Sequence, residues 1–183
     1  VSKFLDRANS ALLVIDVQVG VVGDAFERDA KIANMSKAID KARAESISVI
    51  WVQHSDEGLV LESAEWEIVP ELSPLPSEPK VRKTFRSSFE ETNLEDVLSS
   101  LGVSHLFICG AETNNCVRQT AHTALEKGYD VTLISDAHTT TGFEWNGYII
   151  DAARVIDDQN TNFLDYVLPG QTARAVPVEA IAF

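Results

Sequence analysis

SHLFICGAETNNCVRQTAHTALEKGYDVTLISD, residues 104–136, decides the fold. The first segment ends in a continuous apolar run, the mark of a strand buried on both faces in a parallel sheet. From about Asn114 to Lys127 the spacing of Val117, Ala121 and Ala124 predicts a helix with one apolar face, and Gly128 supplies the terminating residue. YDVTLISD then reads as another strand with an acid at its carboxyl end. Cys116 falls where the first strand gives way to the helix. There, unpaired N–H groups and the helix dipole favour thiolate over thiol, lowering a pKa of about 8.5. The alternative is a small apolar side chain packed under the sheet.

The same alternation extends outward. ALLVID (11–16) is a short apolar run ending in an acid, and ISVIWVQ (47–53) is a second strand. Between them Ile32, Met35, Ile39 and Ala42 recur at helical spacing, with Asp29 as the expected N-cap. Leu94, Val97, Leu98 and Leu101 form another helical face, capped by Asn93 and ended by Gly102. Residues 54–80 hold Pro70, Pro74, Pro76 and Pro79, too irregular for a long helix, and a loop of that length usually covers a site. The order strand, helix, strand, helix predicts an α/β fold, a three-layer doubly wound sheet, mostly parallel, with helices on both faces. Sites in such sheets lie beyond the carboxyl ends of the strands. Asp16, His54, Cys116 and Asp136 are expected on that rim.

The chain has 183 residues, 45% of them hydrophobic, and no linker-like stretch, so a single domain over 1–183 is expected. A formal net charge of −13 disfavours nucleic acid and anionic membrane surfaces as partners. Cys109 and Cys116 do not make a disulfide framework, which suits a reducing, cytoplasmic setting. VSKFLDRANS has no signal-peptide pattern, and no segment reaches the roughly 18 apolar residues of a membrane span. A soluble, unprocessed protein is expected.

Two more residues bear on Cys116. Asp16 closes LLVID, where partly apolar surroundings raise a carboxyl pKa toward neutrality and suit it to proton transfer; otherwise it is a cap or ion-pair partner for the loop. Lys83, in VRKTFRSSF, is a cation available to a thiolate or a solvated lysine. The segments LLVIDVQ, KTFRSSFEETNL and GAETNNCVRQTAHTALEKGYDVTLISDA, in this order over roughly residues 10–140, resemble the isochorismatase-like family of cysteine hydrolases. That family includes nicotinamidases and N-carbamoylsarcosine amidases. Gly110 to Val117, a Gly-x-x-Thr-x-x-Cys-Val stretch, is the most specific segment. The resemblance implies a catalytic triad of Asp16, Lys83 and Cys116, a cis peptide between Ala111 and Glu112, and a homodimer or larger assembly.

The departures also inform. Nicotinamidases bind a metal through an Asp-x-His pair and a further His, whereas this chain has Val52-Gln53-His54. Neither metal nor cofactor is therefore expected. Isochorismate-cleaving members generally lack the nucleophilic cysteine that is present here. Glu112 and DAHTTT resemble a branch that includes streptothricin hydrolases. The expected activity is metal-independent hydrolysis of a C–N bond in a small amide, lactam or carbamoyl substrate through a thioester, with backbone N–H groups of Glu112 and Cys116 as the oxyanion hole. Isochorismatase or nicotinamidase activity, a binding protein and a redox sensor are the alternatives. His54, Gln18 and Trp66 are candidate substrate contacts, each with a structural alternative: a hydrogen-bonded His, a loop-stabilising Gln and an aromatic staple. Trp145 is read like Trp66; Asp136 is a supporting acid; His105, His122 and Cys109 are structural.

Overall fold

A computed structural model describes residues 2–183. The strands are β1 (Asn9–Ile15), β2 (Ser48–His54), β3 (Lys80–Lys83), β4 (Val103–Ala111), β5 (Asp130–Thr139), β6 (Phe143–Trp145), β7 (Tyr148–Ile150) and β8 (Ala173–Val176). The helices are α1 (Val19–Val22), α2 (Arg28–Ala44), α3 (Leu94–Ser100), α4 (Arg118–Lys127) and α5 (Ala152–Asp165). Six strands form one parallel sheet in the order β3-β2-β1-β4-β5-β8, while β6 and β7 form a separate antiparallel hairpin.

Period-two alternation along β1 builds the layers. Leu12 and Val14 enter one core with Trp51, Phe107 and the α2 residues Ile32, Met35 and Ile39. Ala11, Leu13 and Ile15 point the other way, into a core with Leu94 and Leu98 of α3, Ala121 and Ala124 of α4, and Phe163 of α5. Leu12 and Leu13 are both fully buried, so truncating either to Ala costs about 2–5 kcal/mol. Continuous apolar strands follow directly, because both faces of the sheet are covered.

Four local expectations change. The N-cap position of α2 is Glu27, held at φ 48°, and Asp29 lies inside the first turn, where its charge still favours the helix dipole. The segment after β4 does not enter an α-helix at Asn114: Thr113–Val117 is a π-turn, and α4 begins at Arg118. β5 continues past Asp136 to Thr139. Asp136 is therefore off the rim, its Oδ1 accepting the Val178 N–H at 2.8 Å.

Candidate active site

Four adjacent strands deliver four side chains in order. Lys83 ends β3, His54 ends β2 beside it in register, Asp16 follows β1, and Cys116 lies in the turn after β4. Successive connections leave β1 toward opposite edges of the sheet, and the gap between β1 and β4 is the topological switch at which such folds bind ligands. Asp16 stands there at φ 50°, its N–H donating to Val52 O at 2.9 Å. This left-handed conformation is strained for most residues and tolerated by Asp. Gly110 makes the approach possible from the other side. It has φ 124°, and a Cβ added there would meet Ile15 O at 2.0 Å.

Lys83 Nζ is 2.7 Å from Asp16 Oδ2 and 3.2 Å from Cys116 Sγ. The Lys83 and Asp16 side chains are 0% and 2% exposed. Neither Asp16 oxygen receives an aligned hydrogen bond, so the 2.7 Å approach is an ion pair at contact distance rather than a directed bond. Burial raises the Asp16 pKa, against the opposing charge of Lys83. The direction of that shift is the one expected from the sequence.

The thiol differs from expectation. Burial first, and then the charge of Asp16, push Cys116 up to about 12, while Lys83 pulls the other way. At rest Cys116 is thus a thiol, not a thiolate preformed by a helix end. Moving its proton to Asp16 leaves the net charge of the trio unchanged, and Lys83 faces an anion at either site. Cys109, buried inside β4, is pushed up to about 12 by burial alone.

The turn carrying Cys116 is tethered by the expected cis peptide and by contacts of Thr113, His138 and Asn160 that sequence reading left unassigned. The Ala111–Glu112 peptide is cis, and Glu112 O accepts the N–H groups of Asn115 and Val117 at 3.1 and 3.2 Å. Thr113 Oγ1 bonds His138 Nδ1 at 2.9 Å, and His138 Nε2 meets Asn160 Oδ1 at 3.0 Å. A carbonyl oxygen accepts, so Nε2 carries the proton and the Thr113 hydroxyl donates to Nδ1. Burial pushes His138 down to about 4, keeping it neutral.

A pocket of ≈220 Å³ brings Asp16, His54, Glu112 and Cys116 together with Arg86 and Asn115. A larger cavity of ≈630 Å³ lined by Trp66 contains none of Asp16, Lys83 and Cys116, and chemistry rather than size marks the smaller one as the candidate site. Gln18 is fully buried and offers no surface to a substrate: its Nε2 donates to His54 O and Trp66 O at 3.0 and 2.8 Å, and its Oε1 accepts the His54 N–H at 2.8 Å. Its loop-stabilising alternative holds. Trp66 walls the other cavity, beneath the Arg82 guanidinium. Trp145 stands 66% exposed on the hairpin. His105 stacks on Phe107, and His122 packs edge-on against Phe163 and Tyr166. The pocket does not fit a divalent cation. Both nitrogens of His54 have partners, Asp56 and Lys83, the ammonium lies 3.3 Å from Nδ1, and Val52 is apolar.

An isochorismatase-domain model matches residues 10–160. A streptothricin hydrolase of Streptomyces noursei is 35% identical over 158 residues, covering 83% of this chain and 60% of that protein. A second one from the same organism is covered over 53% of its length, so the chain spans only part of both relatives. A probable inactive nicotinamidase of Arabidopsis thaliana is 32% identical, with 83% of this chain and 89% of the relative covered. In fold, a cysteine hydrolase of Pseudomonas syringae pv. phaseolicola superposes with a TM-score of 0.85 at 21% identity, covering 93% of this chain and 89% of that one. An isochorismatase-family protein superposes with a TM-score of 0.81 at 27% identity, covering 93% and 99%. On the domain match and the relatives' identity and coverage, with the sheet and its rim in agreement, the chain belongs to the isochorismatase family.

Proposed function

We propose that the chain is a metal-independent cysteine hydrolase that cleaves a C–N bond in a small amide, lactam or carbamoyl compound through a thioester. The observation that carries this reading is the buried ammonium of Lys83, in contact with both Asp16 and Cys116. Asp16 takes the Cys116 proton as Sγ bonds to the carbonyl carbon. The carbonyl oxygen becomes an oxyanion facing the backbone N–H groups of Glu112 and Cys116, each such donor contributing about 3 kcal/mol. As the C–N bond breaks, Asp16 returns the proton to the departing nitrogen. Water then attacks the thioester, losing its proton to Asp16, and the C–S bond breaks as that proton goes back to sulfur.

A raised Asp16 pKa suits both directions of transfer, because a carboxyl too acidic to hold the proton could not deliver it. The relatives add support. They include streptothricin hydrolases and, at 27% identity over 73% of this chain, a ureidoacrylate amidohydrolase of Agrobacterium fabrum. The test is ammonia or amine release from a panel of amides, lactams and N-carbamoyl compounds, with intact-protein mass spectrometry of the reacting enzyme. Release that requires Cys116 and a mass increment on that residue support the reading. Release undiminished in a folded Cys116→Ala protein contradicts it.

A further inference from the structure

We propose that His54, oriented by Asp56, is a positioning residue that aims the Lys83 ammonium between Asp16 and Cys116. The ammonium has three N–H donors and four acceptors around it. These are Asp16 Oδ2 at 2.7 Å, Cys116 Sγ at 3.2 Å, Phe85 O at 3.2 Å and His54 Nδ1 at 3.3 Å. Rotation about the last bond of the lysine decides which acceptors are served. With His54 Nδ1 and Phe85 O each taking one donor, the third is left to the gap between carboxylate and thiol, where the negative charge moves during catalysis.

That division requires a lone pair on Nδ1, and Asp56 fixes it there. Its Oδ2 lies 3.0 Å from His54 Nε2, and a carboxylate oxygen only accepts, so Nε2 carries the proton and Nδ1 is the acceptor. Asp56 is itself held by the N–H groups of Gly58 and Leu59, both 2.8 Å from Oδ1. The bond to His54, more than any other contact, lowers the Asp56 pKa. Gln18 holds the backbone of His54 at both its N–H and its C=O. The chain of contacts runs from an exposed turn through the imidazole to the buried cation.

The inference rests on the triad proposed above, so its test uses a readout that needs no turnover. In a Cys109→Ala background, the iodoacetamide rate of Cys116 at about pH 9 reports its thiolate fraction. Parent, His54→Asn, His54→Leu and Asp56→Asn proteins are compared, each with Lys83 and with Lys83→Met. Asn keeps an acceptor near the place of Nδ1, and Leu removes it. His54→Leu is expected to lower the rate about tenfold, His54→Asn to restore it to within about threefold of the parent, and Asp56→Asn to fall between. In Lys83→Met proteins none of the three changes has a further effect, since the group they position is gone.

Where an active substrate is found, the His54→Leu loss falls on kcat rather than KM. An unchanged rate in His54→Leu, a reduction that persists undiminished in Lys83→Met, or a loss confined to KM overturns the proposal. The last outcome would make His54 a substrate contact. Asp56 is exposed, so Asp56→Asn decides the matter should His54→Leu not fold: a parental rate in it overturns the positioning role.

Discussion

Two strands of this protein end, to the eye of a sequence reader, in the same way: ALLVID closes on Asp16 and VTLISD on Asp136. The structure separates them. β1 stops at Ile15, and Asp16 turns to φ 50° with its carboxylate buried against Lys83. β5 does not stop at Asp136, which pins the Val178 N–H with its side chain and the Asn34 side chain with its carbonyl. An acid at an apparent strand end is thus not itself a signal of chemistry. Position relative to the switch point is what matters, because beside β1 the Lys83 cation touches both the acid and a thiol.

The comparison breaks most readily at the two acids. Asp16→Asn is expected to lower kcat by about 10³ or more, since the proton carrier proposed for both half-reactions is lost. Asp136→Asn should leave kcat within about threefold of the parent and lower stability by about 1 kcal/mol, the worth of one hydrogen bond to a backbone amide. Steady-state kinetics and denaturant unfolding of the two variants measure both. A comparable loss of kcat in each would erase the distinction. Cys116→Ala should match Asp16→Asn in lost activity while keeping the parental circular dichroism, and Cys109→Ala should affect stability alone.

A smaller effect is expected at the other end of the turn that carries Cys116. His138 titrates near 6.5 when unfolded and is pushed down to about 4 in the fold, so the unfolded chain binds a proton that the native protein refuses. Stability conferred by keeping it neutral is therefore complete above about pH 6.5 and is lost as pH falls toward 4, by about 3 kcal/mol at about 1.36 kcal/mol per pH unit. His138→Gln should flatten that part of the stability profile, read from urea midpoints across the range. A variant with the parental slope would place the acid sensitivity elsewhere. The smallest effect concerns metal. Chelation should leave turnover unchanged, because the nitrogens of His54 face a carboxylate and an ammonium. Stoichiometric metal by elemental analysis, with activity lost on its removal, would contradict this.

Much of this was legible in the chain because the decisive signals are local. β1, β2 and β4 are continuous apolar runs that the layers bury on both faces, and Gly102 and Gly128 end helices at positive φ as their positions imply. Asp16, Lys83 and Cys116 could be picked out as candidates from the resembling segments, Asp16 and Lys83 at the ends of strands and Cys116 in the turn beyond one. The protonation state of the thiol could not be read. A helix-end argument concerns the few residues around Cys116, whereas burial and Asp16, which outweigh it, come from strands far away in sequence. The π-turn escaped for a related reason. Its shape goes with the bond from Thr113 to His138, twenty-five residues on. Gln18 was read ambiguously because only the folded loop shows that its amide is consumed by His54 and Trp66.

The shared-proton trio has a signature that a collection of inactive variants alone would not give. Asp16 raises the thiol pKa and Lys83 lowers it, so removing one should do the opposite of removing the other although both variants lose turnover. The direct measurement is the alkylation rate of Cys116 at about pH 9, in a Cys109→Ala background, for Asp16→Asn and Lys83→Met. Faster alkylation than the parent in Asp16→Asn and slower alkylation in Lys83→Met is the predicted result. Rates that move in the same direction, or that stay at the parental value in both, would contradict a single proton held between Asp16 and Cys116 under the charge of Lys83.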